Sequence, residues 1–408
     1  MKQRRSILVI SPIPIHPANA GNRARLYSLL KHIKEAGFKI SFFYLDQGHK
    51  VQHRAMAEAW DEYHRIFYGK DGLRRMVTKL RMLAGKCRLF EPGAIDAWIS
   101  RFGSRRYTPL MIDSWYDPTI DKVVRGLIEQ NSFDAVLVEY VYLSRVLELF
   151  PNDTIKIIDT HDVFSNRHLQ FIEKGKSPVF FYTSPEQEAI GLGRSDIILA
   201  IQDNDRRYFA GLCERSVITI GHLPRIDVVA CAENCEPSLP KVLYVATNTV
   251  PNQDGMDFFI RDVWPIINKK CPWVRVDVVG SVCSYLRGRI DEGIELHDME
   301  DDLSVYYKKN YVVVNPVRIG TGLKIKNVEA LFSGKPLVTT SVGAQGLEQW
   351  GNNAFLLADD AQGFAEAVVK LLTDRTARRE LQEGAVAFAR RYRNEYEEAL
   401  QTLVARLS

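Results

Sequence analysis

Short runs of consecutive apolar, largely β-branched residues recur along this chain, with helix-length amphipathic stretches between them. In the first half the runs are SILVIS (6–11), KISFFYL (39–45), AVLVEY (135–140), IKIID (155–159) and DIILAIQ (196–202). Between them lie NRARLYSLLKHIKEAG (22–37), DKVVRGLIEQN (121–131) and a segment opened by Ser184-Pro185-Glu186-Gln187. That tetrad offers an N-cap, a proline in the first turn and a glutamine at the capping-box position. A strand without polar alternation is buried on both faces, and helices between such strands impose parallel crossovers. The pattern predicts open parallel α/β sheets.

The pattern then restarts. HLPRIDVVACAENCEPSLP (222–240) has three prolines and no period. After it come KVLYVAT (241–247), a helical stretch near 253–269, VRVDVVG (274–280), YVVVNPV (311–317), another helix and PLVTT (336–340). Three helical segments are expected from about residue 360. The 408 residues therefore divide into two α/β domains, 1–222 and 223–385. That is a normal share of length for each.

Hydrophobic content of 46% and charged content of 25% exclude a disordered chain, a collagen-like fibre and a disulfide scaffold. The six cysteines form no CxxC and have no histidine cluster beside them, so they read as reduced thiols rather than zinc ligands. Lys2, Arg4 and Arg5 before SILVIS, with Ala18-Asn19-Ala20 beyond, imitate a signal peptide. Pro12 and Pro14 cut the apolar run too short for one, and it reads as a first strand. No run reaches the ~18 apolar residues of a membrane span.

The net charge of +4 hides a local field. Residues 65–106 carry eleven Lys or Arg against three acids, a net +8, which leaves −4 for the rest of the chain. Leu73, Met76, Val77 and Leu80 recur at helical spacing there, beside Arg74, Arg75, Lys79 and Arg81. Such a basic amphipathic helix either packs on its own domain with a solvated charged face or meets an anionic membrane or acceptor. The whole-chain balance gives no case for nucleic acid.

The most informative stretch is NPVRIGTGLKIKNVEALFSGKP (315–336). A buried strand leads into Gly320-Thr321-Gly322 and then a helix, the arrangement in which backbone N–H groups and the helix dipole attract a phosphate. Arg318, Lys324 and Lys326 surround the turn and suit a diphosphate. Glu329 lies deeper on the face of Gly322 and Lys326, where a carboxylate suits a ribose diol. The competing reading is a surface Lys326–Glu329 pair on an ordinary helix.

These residues resemble the donor-binding motif of GT-B glycosyltransferases, most closely family 4. The likeness runs through Glu329-Ala330-Leu331-Phe332-Ser333-Gly334-Lys335-Pro336-Leu337-Val338 and Gly343-Ala344-Gln345-Gly346-Leu347. It also takes in VLYVAT with Pro251-Asn252, the loop SPIPIHPANAGNR, and Asp159-Thr160-His161-Asp162. It implies two Rossmann-like domains facing across a cleft, with a C-terminal helix (386–408) packing back on the N-terminal domain. It also implies a sugar moved, with retention, from a nucleotide-diphosphate sugar to a glycan or lipid-linked acceptor. That work would serve cell-surface polysaccharide or lipopolysaccharide synthesis, in the cytoplasm or at the inner face of its membrane.

The implied catalytic residues are His161, Lys326 and Glu329. Donor contacts fall to Gly21, Asn248, Asn252, Arg318, Gly320, Thr321, Gly322, Leu323 and Lys324. Glu139, Asp162, Arg74 and Arg75 belong to the acceptor side. The chain departs from the family pattern at two places. Thr321 stands where a first glutamate is common, and ATNTVPNQDG lacks the usual Arg and Lys, so Arg318, Lys324 and Lys326 are expected to neutralise the diphosphate. Asp203-Asn204-Asp205 matches a metal-binding DxD pattern but opens a helix, where N-capping explains it. No metal and no cofactor beyond the nucleotide sugar is expected. The rivals are a sugar-nucleotide epimerase and a silent module that binds nucleotide or glycan.

Overall fold

A computed structural model describes residues 5–18, 20–48, 51–68, 107–224, 240–300, 302–351 and 353–407. Residues 69–106 of the basic segment, with Arg74 and Arg75, and most of the stretch 222–240 that joins the domains, lie outside the described residues.

Two parallel sheets organise the chain. The first contains β1 (Ser6–Ser11), β2 (Lys39–Asp46), β3 (Glu62–Phe67), β4 (Ala135–Glu139), β5 (Ile155–Asp159), β6 (Ile197–Ala200) and β7 (Ser216–Thr219), in the order β3-β2-β1-β4-β5-β6-β7. The second contains β8 (Lys241–Val245), β9 (Arg275–Val279), β10 (Ile294–His297), β11 (Val312–Asn315), β12 (Leu337–Thr339) and β13 (Phe355–Leu357), in the order β10-β9-β8-β11-β12-β13. Both orders reverse direction beside the first strand of the sheet, the topological switch point of Rossmann-like folds. The inner runs are buried residue by residue: Leu8, Val9, Ile10, Val136, Leu137 and Val138 are all inaccessible to solvent.

The helices that matter for the site are α1 (Gly21–Glu35), α2 (Arg167–Glu173), α3 (Pro185–Leu192), α4 (Asp203–Leu212), α5 (Val250–Phe258), α6 (Ile325–Phe332), α7 (Ala361–Thr373) and α8 (Arg375–Leu407). Ser184 caps α3 as its sequence predicts, accepting from Gln187 N at 3.3 Å. The C-terminal region forms two helices rather than three segments, since 375–407 is continuous. At α4 the N-cap is Gln202, without a side-chain cap bond. Asp203 sits in the first turn and pairs with Arg206 at 2.7 Å, so its carboxylate meets the helix dipole and a cation rather than capping.

α8 returns across the molecule. Tyr392 accepts from His222 N at 3.0 Å, the Tyr396 ring packs edge-on against His32, and Arg406 bonds Ser216 of β7. One apolar cluster consequently runs from the first sheet through Val328, Leu331 and Phe332 of α6 to Phe388, Leu403 and Leu407 of α8. A second cluster includes Trp264, Phe259 and Phe364 of the C-terminal domain. Cys213, Cys271 and Cys283 carry free thiols. Among the described residues, no helix is long and apolar enough to cross a membrane.

Leu403 is wholly buried on the returning helix. Leu403→Ala is expected to lower the unfolding free energy by about 2–5 kcal/mol in urea titration. A loss below ~1 kcal/mol would mean that the end of α8 does not share the N-terminal core.

Candidate active site

Between the sheets lies a cleft of about 390 Å³. Its lining comes from segments at the carboxyl ends of strands: Gly21 and Asn22 beyond β1, Tyr140 after β4, His161, Asp162 and Arg167 after β5, Thr247 to Asn252 after β8, and Val317 to Glu329 after β11. That is where open parallel sheets place ligands.

The loop after β11 is pressed against the loop after β5. Gly322 has φ +73, and a Cβ on it would come within 2.6 Å of the His161 carbonyl oxygen and 2.7 Å of Asp162 Oδ1. Glycine is needed there both for the backbone angle and for the approach. Thr321 Oγ1 donates to Asp162 at 3.0 Å, and Gly320 N donates to Gln170 at 3.1 Å. Gly21 likewise stands where a side chain would meet Ile325 at 3.1 Å. α6 starts at Ile325, with Lys324 at the N-cap, three residues beyond Gly322. Gly322 itself lies beneath the β5 loop, outside the cleft lining.

Two lysines meet at this helix start. Lys324 folds back, donating to the carbonyls of Thr321 at 3.2 Å and Gly322 at 2.8 Å and to Gln345 at 3.3 Å. Burial lowers its pKa to about 8, with Asp162 and Asp205 opposing. Lys326 donates to Asn252 Oδ1 at 2.7 Å and lies 4.7 Å above the Tyr244 ring. Burial, then Lys324, brings it down to about 7, with Glu329 opposing. Glu329 lines the cleft and lies 3.7 Å from His222 Nε2. Leu323, Thr321 and Gly320 complete this wall.

On the facing wall His161 packs at 4.9 Å from the Tyr140 ring, and its Nε2 is 2.6 Å from Glu139 Oε2. Burial and then Arg25 depress the imidazole pKa to about 4, so the ring is neutral near pH 7. Tyr140 holds φ +67, a backbone angle that bulky residues rarely adopt and that concentrates at functional sites.

Besides Gly322, three assignments shift. Glu139 does not face an acceptor: it is wholly buried behind His161. Arg318 is outside the cleft lining, because its guanidinium is taken by Asp254 at 3.0 Å and stacks 4.5 Å from Phe258. Asn248 is also off the lining, bonded to Ser284 and Gln253. Arg167, absent from the sequence reading, supplies a cleft cation from the N-terminal side, held over Phe171 and Phe180. Its only local signal is a position eight residues beyond the strand end at Asp159.

Among the described residues, metal-type donors gather in two places. Ligand atoms of Glu139, Asp159 and His161 lie within 4.8 Å of one another. Both oxygens of Asp159 are bound by Arg25, at 2.5 and 2.7 Å, so a guanidinium already fills the charge that a cation would bring. Asp277, Glu295 and His297 form a second such group, into which Lys241 inserts its ammonium.

Residues 239–374 match the family model described as Glycosyl transferases group 1. A Klebsiella pneumoniae protein described as an "Uncharacterized 44.6 kDa protein in cps region" is 23% identical over 158 residues, 36% of this chain. The match spans only 41% of that relative's length. Sucrose-phosphate synthase from Thermosynechococcus elongatus superposes with TM-score 0.70 at 14% identity, over 99% of both chains. The pneumococcal O-GlcNAc transferase GtfA in complex with UDP and GlcNAc gives 0.65 at 13%, again over 99% of both. Anabaena HepE in complex with UDP and glucose gives 0.62 at 12%, over 98% of this chain and 99% of that one. At these identities the likeness speaks for the fold, which is GT-B.

Gly322→Ala is expected to force the β11 and β5 loops apart, costing about 1–3 kcal/mol in backbone strain alone. Thermal unfolding measures it, and an unchanged midpoint would contradict the close approach.

Proposed function

We propose that this chain is a glycosyltransferase that moves a sugar from a nucleotide-diphosphate sugar to a glycan or lipid-linked acceptor. One observation carries the reading. Two partly desolvated lysines stand at the start of α6 inside the cleft, with a carboxylate one turn deeper, and all three belong to the segment that matches the group 1 transferase model.

The diphosphate lies against Lys324 and Lys326, with Arg167 reaching it from the other domain. Glu329 accepts from the two ribose hydroxyls. Negative charge grows on the leaving phosphate as the glycosidic bond breaks, and cations already fixed in a water-poor site stabilise it without reorganising. His161 stands across the cleft at the sugar. The acids of the cleft lining, Asp162, Glu300 and Glu329, leave no good covalent nucleophile, since Thr321 holds Asp162, Tyr306 holds Glu300 and Glu329 serves the ribose. Front-side attack assisted by the leaving phosphate, with retention as in family 4, fits this arrangement, and the reaction needs no metal. The solved neighbours bound to UDP favour a nucleotide donor, and the relative from a cps region favours cell-surface polysaccharide synthesis.

Incubation with a panel of nucleotide sugars, with and without glycan or lipid acceptors, is expected to release UDP or GDP. Lys326→Ala and Glu329→Ala should each lose at least tenfold in that release while unfolding at the wild-type temperature. Near wild-type turnover by either variant overturns the site. Conversion of a donor without acceptor would indicate an epimerase, and no turnover with any donor a binding module.

Binding should also consume protons. The free lysines, with pKa values brought down to about 7 and 8 by burial, are largely neutral by about pH 8.5. A bound diphosphate favours their charged forms, so UDP or GDP binding takes up protons and weakens as pH rises from ~7 to ~9. Calorimetry in Hepes and Tris reads this. Proton release, or no exchange, contradicts it.

A further inference from the structure

The carboxyl ends of β4 and β5 bury a row of ionisable side chains beneath the cleft. Arg25 of α1 makes two bonds to Asp159, and its Nη2 also donates to the Ile220 carbonyl at 3.0 Å. Beside this balanced pair lies a second carboxylate, Glu139, entirely out of solvent. A single guanidinium thus faces two acids. Burying a further carboxylate costs several kcal/mol before any pairing, and a leucine or glutamine would fill the volume without that cost. Glu139 meets one group on the cleft side, His161, across 2.6 Å.

The imidazole is neutral, so it carries one N–H between two nitrogens. Which nitrogen holds the proton is set by the bond that the other side of the ring makes. His161 Nε2 is committed to Glu139, and the rest of the ring lines the cleft against Tyr140. Arg25 favours the ionised form of Glu139, while burial pushes its pKa up to about 7.

We propose that Glu139 is the positioning residue of His161: its carboxylate accepts the Nε2 proton, fixes the ring, and leaves the Nδ1 lone pair as the group presented to the cleft. A lone pair accepts from a hydroxyl and repels a phosphate oxygen. The inference therefore deepens the transferase reading, on which it rests, by assigning His161 to a sugar hydroxyl and leaving the diphosphate to Lys324, Lys326 and Arg167. A protonated Glu139 would give the opposite tautomer, with Nδ1–H as a donor suited to phosphate.

Long-range ¹H–¹⁵N correlation of ¹⁵N-histidine-labelled protein near pH 8.5, where Glu139 is ionised, tests this without any substrate, His161 being assigned by its loss in His161→Asn. The expected spectrum shows His161 as the Nε2–H tautomer, converted to a tautomer mixture in Glu139→Ala and retained in Glu139→Gln, whose amide oxygen still accepts. An Nδ1–H tautomer in the wild type, or an unaltered pattern in Glu139→Ala, overturns the proposal. Nucleotide release supplies the second arm. Glu139→Ala should lower kcat at least tenfold with KM changed less than threefold, and Glu139→Gln should restore most of it. Equal losses in the two variants also overturn it. Absence of release from any donor in the wild type would instead count against the transferase reading, with the tautomer result standing by itself.

Discussion

The bidentate pair between Arg25 and Asp159 holds three parts of the molecule in register. Arg25 belongs to the first helix, Asp159 ends a central strand, and the Ile220 carbonyl that Arg25 also binds lies where the chain leaves the first sheet. The path of the chain toward the second domain is thus fixed by a charge in the first. Buried pairs of this kind add little net stability, but losing one partner costs about 3–5 kcal/mol. Here the loss would leave Asp159 and Glu139 facing each other unscreened, directly under His161.

Above that foundation the two domains meet through small residues and side-chain hydrogen bonds. Gly322 admits the His161 carbonyl, Gly21 admits Ile325, and Thr321 reaches Asp162. None of these contacts consumes the charge of Lys326, whose ammonium has an amide oxygen and an aromatic face but, among the described residues, no carboxylate within bonding distance. Arg318 shows the contrast: its charge is spent on Asp254, which also draws Lys176 to 3.6 Å. The cleft keeps cations short of a counter-ion at the helix start and satisfies them elsewhere.

The inner strands and the α6 region were legible because their signals are local. Two-sided burial shows as an unbroken apolar run, and the turn, lysines and glutamate of 320–329 lie within ten residues of one another. The strands that sequence reading passed over, β3, β7, β10 and β13, are the four sheet edges. An edge strand is half solvated, as EYHRIF and IELH are, so its composition approaches that of a loop. The same limit governs the site. Glu139 looks like a strand-end carboxylate until the neighbouring strand brings His161 across it, and Arg318 looks free until Asp254, 64 residues away, takes it. Arg167 has no motif at all, since its role depends on a fold that brings two strand ends together.

The returning helix α8 has a consequence for how the chain is made. Arg406 and its partner Ser216 on β7 are 190 residues apart in sequence, and Arg5 bonds the carbonyl of Leu407. At 5–20 residues per second, roughly 10–40 s separate synthesis of that edge from synthesis of the helix that covers it. The first domain to leave the ribosome is therefore the last to be completed. Through that interval the apolar surface destined for Leu403 and Leu407 lacks the helix that covers it in the folded chain, a window in which such surfaces are prone to aggregate.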